Sequence, residues 1–248
     1  MVTGIDTFRE KFKDYTDCYT VIGGAACDII MSQANFDFRA TKDIDMILII
    51  EDRYPEFGKV FWEYIKEAGY KCGSRNSEDM HFYRFTDPKA GYPVMIELFS
   101  KKPGYKLEVD EGIIPIHMDE DTSSLSAILL NDDFYNFMLQ GRAVVDGISV
   151  LRAEYLIPFK MFAWLDLKNK KQNGEHVDSR DIKKHKYDVF RLLQIVDSNT
   201  IIPTDGLVKK SINEFFEEIL KETLPLSQLG LLFNQEEAME ILHDLYGI

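Results

Sequence analysis

Two aspartates spaced two apart, Asp43 and Asp45, stand at the start of an apolar run in the sequence. The run from Met46 to Ile50 is typical of a buried strand, and residues i and i+2 of a strand point to the same face. Two carboxylates are therefore directed at one spot, where their charges repel. A divalent cation relieves this repulsion, and Mg²⁺ is commonly held by one or two carboxylates together with substrate phosphates.

A glycine pair upstream of the aspartates supplies a complementary feature. Gly23 and Gly24 follow the apolar residues 20–22, which predict a short strand, and precede a predicted helix over 24–33. Glycine lets the backbone approach a ligand closely, and the free N–H groups at a helix start attract phosphate. One end of this stretch can therefore hold a triphosphate while the other holds a metal ion.

The order of these residues resembles the signature of the nucleotidyltransferase superfamily with the DNA-polymerase-β-like fold. With Arg39 and Thr41 included, the R-x-T-x-D-x-D run is similar to the AbiEii-type branch. The resemblance implies Mg²⁺ or Mn²⁺ on catalytic Asp43 and Asp45. It also implies that Gly23, Gly24, Arg39 and Thr41 bind the nucleotide. The alternative is a glycine turn beside two solvated aspartates.

Glu97 lies inside the otherwise apolar run from Val94 to Phe99. A charged residue in such a run is rarely fully buried without a partner. The family resemblance implies a third catalytic, metal-binding carboxylate on a strand beside the one that carries the aspartate pair, and Glu97 is placed for it. The alternative is a glutamate on an exposed strand face.

In the second half, Lys160 lies on a predicted helix and Asp188 on a basic one. Both match the later motifs of AbiEii-type enzymes, and Asp181 is the other candidate for the aspartate. The resemblance implies that Lys160 binds nucleotide phosphate and that Asp188 orients this lysine or accepts a proton. Alternatively, Lys160 is a surface lysine and Asp188 pairs with a neighbouring lysine along its own helix.

Charge and composition narrow the class of protein. The net charge of −13 disfavours general nucleic-acid binding. However, residues 168–191 carry eight Lys/Arg against four acids, which suits a polyphosphate or an RNA end. Three cysteines without C-x-x-C spacing argue for a reducing compartment, and no apolar run is long enough for a membrane span. We therefore expect a cytoplasmic protein with no membrane partner.

We predict an α+β fold, with a nucleotidyltransferase-like mixed β-sheet and flanking helices followed by a mostly helical second half. The predicted domains are a catalytic core over 1–122 and a helical domain over 123–248. Strands over 20–22, 43–50 and 92–99 should be neighbours, and a further strand is expected at 113–117. The NTP is expected to bind between the two halves.

The leading hypothesis is an enzyme that transfers a nucleotidyl group from an NTP to an acceptor, which can be tRNA, a protein or a small molecule. Relatives implied by the resemblance include toxins that modify the acceptor end of tRNA, so a cognate antitoxin is a candidate partner. Two rival hypotheses are a catalytically inactive nucleotide- or partner-binding module of the same fold, and an interaction protein whose acidic surface recruits a basic partner.

The aspartate pair gives a direct test. We expect Asp43→Asn and Asp45→Asn each to abolish nucleotidyl transfer while the fold stays intact or becomes slightly more stable, because each change removes one of two repelling charges. Transfer assays and urea denaturation of both variants check this. Wild-type activity in both variants would end the catalytic assignment.

Overall fold

The protein is an α+β chain organised around one mixed β-sheet, which confirms the predicted fold class. The computed structural model describes residues 2–49, 54–76, 81–100 and 131–248. Contacts divide the chain into two compact units. The first unit comprises Met1–Leu130 with Arg142–Leu151, and the second comprises Asn131–Gly141 with Arg152–Ile248.

The described part of the first unit contains three α-helices and seven strands. Their order along the chain is α1 (Ile5–Phe12), β1 (Tyr19–Ile22), α2 (Gly23–Gln33), β2 (Asp43–Leu48), α3 (Tyr54–Ala68), β3 (Lys71–Asn76), β4 (His81–Thr86), β5 (Met95–Ser100), β6 (Arg142–Val145) and β7 (Ile148–Leu151). A short 3₁₀ turn, Lys13–Tyr15, extends α1.

The seven strands form one sheet in the order β3-β4-β5-β2-β1-β7-β6. The central strand β2 pairs antiparallel with β1 and parallel with β5, so the three strands predicted to be neighbours are neighbours. The β6–β7 hairpin falls within the range 123–248 that was predicted to be helical, but it belongs to this sheet. Its strand β7 is fully buried and pairs with β1, with Val150 opposite Val21.

An aromatic cluster forms the core on one face of the sheet. The rings of Phe8 and Phe12 from α1 pack against Tyr19 of β1 and against Phe57 and Tyr64 of α3. These rings are almost entirely buried, and each contributes a large apolar area to the core. The cluster covers one face of β1. Because successive side chains of a strand point to opposite faces, every second side chain of β1 and of β2 points to the other face of the sheet.

The described part of the second unit is helical, as predicted. It contains α4 (Asp132–Gln140), α5 (Ala153–Gln172), α6 (Ser179–Leu193), α7 (Gly206–Ile219) and α8 (Gln235–Tyr246). The predicted domain boundary at 122/123 and the predicted strand at 113–117 lie outside the described residues.

The cysteines and helices add two observations. Cys18, Cys27 and Cys72 are all buried, and burial raises the pKa of the Cys72 thiol to about 11. The Cys72 thiol therefore remains protonated and unreactive near neutral pH. Among the described residues, no helix combines the length and apolar character needed to cross a membrane.

Candidate active site

The two aspartates of β2 lie on the sheet face opposite the aromatic cluster. Asp45 is the register partner of Ile22, the last residue of β1, and Asp43 lies two residues away on the same face. Only these two residues of β2 are partly exposed, whereas the other four are buried. The beginning of β2 therefore carries two accessible carboxylates on one face, and the rest of the strand is apolar and buried.

Gly23 and Asp45 are packed directly against each other. A Cβ placed on Gly23 would overlap Oδ2 of Asp45 and lie 3.0 Å from its Cγ. Gly23 also has φ +67°, a left-handed conformation that side-chain-bearing residues rarely adopt. Glycine is thus required at this position for two reasons. Its backbone conformation disfavours a side chain, and a side chain would occupy the space of the Asp45 carboxylate.

Gly24 provides room for two residues of the loop before β2. A Cβ at Gly24 would lie 2.7 Å from Oγ1 of Thr41 and 3.6 Å from Nη2 of Arg39. The hydroxyl and the guanidinium are therefore adjacent to the glycine turn. The structure thus brings together Gly23, Gly24, Arg39, Thr41 and Asp45, which come from three segments of the chain.

The first turn of α2 begins at these glycines. The residue before the helix is Ile22, which offers no side-chain cap, and the first turn contains no acidic residue. The amides at a helix start are left without intrahelical acceptors and carry a partial positive charge. This end of α2 is therefore suited to an anion.

Glu97 is the register partner of Asp45 on the parallel strand β5, so the two carboxylates face the same side of the sheet. Glu97 is 5% exposed, and Nε of Arg84 donates to its Oε1 at 2.7 Å. Arg84 lies opposite Glu97 on β4. Arg84 was not among the predicted site residues, although an arginine within the aromatic run 82–85 is as unusual as a glutamate within an apolar strand.

The donor set fits a divalent cation held by two protein carboxylates. Asp43 and Asp45 share a face and remain partly exposed, and oxygen donors of this kind suit Mg²⁺ or Mn²⁺. Within the described ranges, no three His, Cys, Asp or Glu side chains are grouped closely enough to hold a metal ion. The predicted role of Glu97 as a third ligand therefore stays a prediction.

Lys160 and Asp188 form a buried ion pair in the second unit. Nζ of Lys160 on α5 lies 3.1 Å from Oδ2 of Asp188 on α6, and the two residues are 3% and 0% exposed. Arg191 lies 3.4 Å from the other oxygen of Asp188. Asp181, the alternative candidate, pairs with Lys184 at the surface. Asp188 is thus the aspartate that holds Lys160, while the phosphate-binding role of this lysine stays a prediction.

The basic segment 168–191 is less positive in the folded unit than its composition suggests. Seven of its eight cations contact an acid or a hydroxyl of the same unit: Lys168, Lys170, Lys171, Arg180, Lys184, Lys186 and Arg191. Hydrogen bonds from Lys168 and Lys221 also lower the pKa of Glu218 to about 2, so this acid remains charged at neutral pH. The expectation of a basic surface for polyphosphate or RNA therefore gains little support.

No family model matches the chain, and no curated protein matches its sequence significantly. Among solved structures, the chain is similar to an antigenic nucleotidyltransferase-like protein from Paracoccidioides brasiliensis, at 12% identity over 98% of this chain and 91% of that one, with a TM-score of 0.46. A Megavirus polyadenylate synthase is similar at 12% identity over 88% of this chain and 36% of that one, with a TM-score of 0.42.

The packing of Gly23 on Asp45 generates a prediction with a matched control. Gly23→Ala should destabilise the protein and displace the Asp45 carboxylate, because the new methyl group overlaps Oδ2. Gly69→Ala is the control, since Gly69 has a similar φ of +73° and its Cβ would meet only Lys89 at 3.5 Å. The control carries the backbone strain, roughly 1 kcal/mol, without the collision.

Urea denaturation of both glycine variants measures the difference. We expect Gly23→Ala to lose clearly more stability than Gly69→Ala and, if the chain transfers nucleotides as proposed below, to lose that activity as well. If the two variants were equally stable and equally active, the close packing of Gly23 on Asp45 would not be important for the site.

The buried ion pair generates a second prediction. Lys160→Ala should lower the free energy of unfolding by about 3–5 kcal/mol, because Asp188 is left as a buried charge without this partner. The double replacement Lys160→Met with Asp188→Leu should recover most of the loss. Lys184→Ala is the control, because its exposed pair with Asp181 should contribute less than about 1 kcal/mol. Equal effects of Lys160→Ala and Lys184→Ala would contradict the buried-pair account.

Proposed function

We propose that this protein is a nucleotidyltransferase that moves a nucleotidyl group from an NTP to an RNA or protein acceptor. The observation that carries the proposal is a pair of same-facing carboxylates, one of which packs against a glycine turn that opens a helix. Phosphate and metal sites side by side are what the transfer of a phosphorus-centred group requires.

Each group at the turn has a role in this proposal. Asp43 and Asp45 hold Mg²⁺ or Mn²⁺, which supplies Lewis acidity at the phosphate oxygens when it is bound. The glycine turn and the first amides of α2 bind the triphosphate, since no side chain keeps the backbone away from it. The hydroxyl of Thr41 and the guanidinium of Arg39, both beside Gly24, are donors for the phosphate oxygens.

The reaction breaks one bond and forms another. An acceptor oxygen attacks the α-phosphorus, the bond from that phosphorus to the α–β bridging oxygen breaks, and pyrophosphate leaves. The proton of the acceptor hydroxyl passes to a base or to solvent. The chain contributes by fixing the triphosphate against the turn, so that the α-phosphorus is held in one orientation relative to the carboxylates.

The pairing of Glu97 with Arg84 favours one alternative, a nucleotide-binding module without turnover. If transfer needs Glu97 as a third metal ligand, its engagement by Arg84 reduces the negative charge that the site offers to a cation. We favour the active enzyme because Asp43 and Asp45 already provide the one or two carboxylates that Mg²⁺ commonly uses. A role in toxin–antitoxin biology with a cognate antitoxin partner belongs to the same proposal and rests on the sequence resemblance.

NTPs that carry a label on the α-phosphate or on the γ-phosphate separate these possibilities. Each of the four NTPs, labelled on either the α- or the γ-phosphate, is incubated with the protein, Mg²⁺ or Mn²⁺, and total RNA or total protein. We expect the α-label to enter an acceptor, the γ-label to leave as pyrophosphate, and Asp45→Asn to abolish both. Asp14→Asn, which removes an exposed carboxylate that is not among the candidate site residues, is the control.

The outcomes are distinct. Transfer of the γ-label would identify phosphoryl transfer and contradict the proposal. Metal-dependent thermal stabilisation by NTP without any release of pyrophosphate would support the inactive module instead.

A further inference from the structure

Helices α7 and α8 of the second unit enclose an open groove with a volume of about 810 Å³. Its lining comes from these two helices and the residue that follows α7: Phe216, Leu220, Gln235, Glu236, Met239, Glu240, His243 and Asp244. None of these residues belongs to the candidate active site.

The floor of the groove is apolar. Phe216 and Leu220 lie one helical turn apart, and Met239 of α8 lines the same groove. Leu220 is 64% exposed, so its side chain is available for contact with a partner. Exposed apolar surface with a polar rim is typical of a protein-interaction site.

The rim of the groove is acidic. Glu236, Glu240 and Asp244 recur every four residues, so they form one row along α8, and all three are exposed. Among the described residues that line the groove, none is a lysine or an arginine. The row repels phosphate and attracts cations, an attraction that the net charge of −13 reinforces at long range.

We propose that this groove binds an amphipathic helix of a partner protein that carries lysine or arginine beside its apolar stripe. An apolar floor selects leucine-like side chains at positions i, i+4 and i+7, and the carboxylate row selects basic residues along one flank. The row from Glu236 to Asp244 spans about 12 Å at the helical rise of 1.5 Å per residue, which matches a little over two turns of a bound helix. Charge complementarity gives the site its specificity for a basic partner over an acidic one.

A pair of synthetic peptides tests the proposal. The first is a fluorescein-labelled 18-residue helix with leucine at core positions and lysine elsewhere, and the second has glutamate in place of every lysine. Fluorescence anisotropy is measured with the full chain at moderate salt. We expect the Leu/Lys peptide to bind and the Leu/Glu peptide not to bind.

Matched variants localise the binding. Leu220→Ser removes an exposed apolar group from the floor, and Glu240→Lys reverses one charge on the rim. Each should weaken binding of the Leu/Lys peptide about tenfold. Leu232→Ser alters a leucine that is 80% exposed outside the groove, and Glu217→Lys reverses an exposed charge elsewhere on α7. These controls should stay within about twofold of wild type, and circular dichroism verifies that all four variants fold.

Three results would overturn the proposal. Equal weakening by Glu240→Lys and Glu217→Lys would show diffuse attraction to an acidic chain. Failure of the wild-type protein to bind the Leu/Lys peptide would show that the groove does not accept a basic helix. Self-association of the wild type in sedimentation, abolished by Leu220→Ser, would show that a second copy of this chain is the occupant.

Discussion

The packing of the Asp45 carboxylate on Gly23 is the contact on which the rest of the candidate site depends. It requires that Gly23 have no side chain and that its backbone adopt φ +67°, and strand pairing fixes it because Asp45 is the register partner of Ile22. Once this contact is made, the two-residue period of β2 places Asp43 on the same face. The neighbouring Gly24 then leaves room for Thr41 and Arg39. The same turn therefore lies beside a carboxylate, which suits a cation, and beside a hydroxyl and a guanidinium, which suit a phosphate.

Burial separates the four candidate site carboxylates into two classes. Asp43 and Asp45 are partly exposed, so solvent and ligands reach them. Glu97 and Asp188 are buried, and each is paired with a cation, Arg84 in the first case and Lys160 in the second. A buried charge must be compensated within the fold because it has lost its hydration, whereas a partly exposed carboxylate stays hydrated and can be reached by a ligand. We therefore propose metal binding for Asp43 and Asp45.

The sequence predicted the central strands and the glycine turn because local patterns determine them: apolar runs define β1 and β2, and Gly23-Gly24 interrupts them. It did not predict the edge strand β3, because Lys71–Asn76 is mostly polar and becomes a strand only through pairing with β4. Nor did it place β7 beside β1, because a short apolar run can predict a strand but does not identify the strand with which it pairs. The Glu97–Arg84 pair depends on the register of β4 and β5, which no local pattern specifies.

The most direct test of the account is metal binding itself, measured by electron paramagnetic resonance of Mn²⁺ in the presence of an ATP analogue that cannot be cleaved between its α- and β-phosphates. The account predicts that the wild-type chain binds Mn²⁺ more tightly when the analogue is present. It also predicts that Asp43→Asn and Asp45→Asn each weaken this binding by at least about tenfold, with Asp14→Asn unchanged. Wild-type Mn²⁺ affinity in both site variants would contradict the central claim that the paired aspartates of β2 hold the cation.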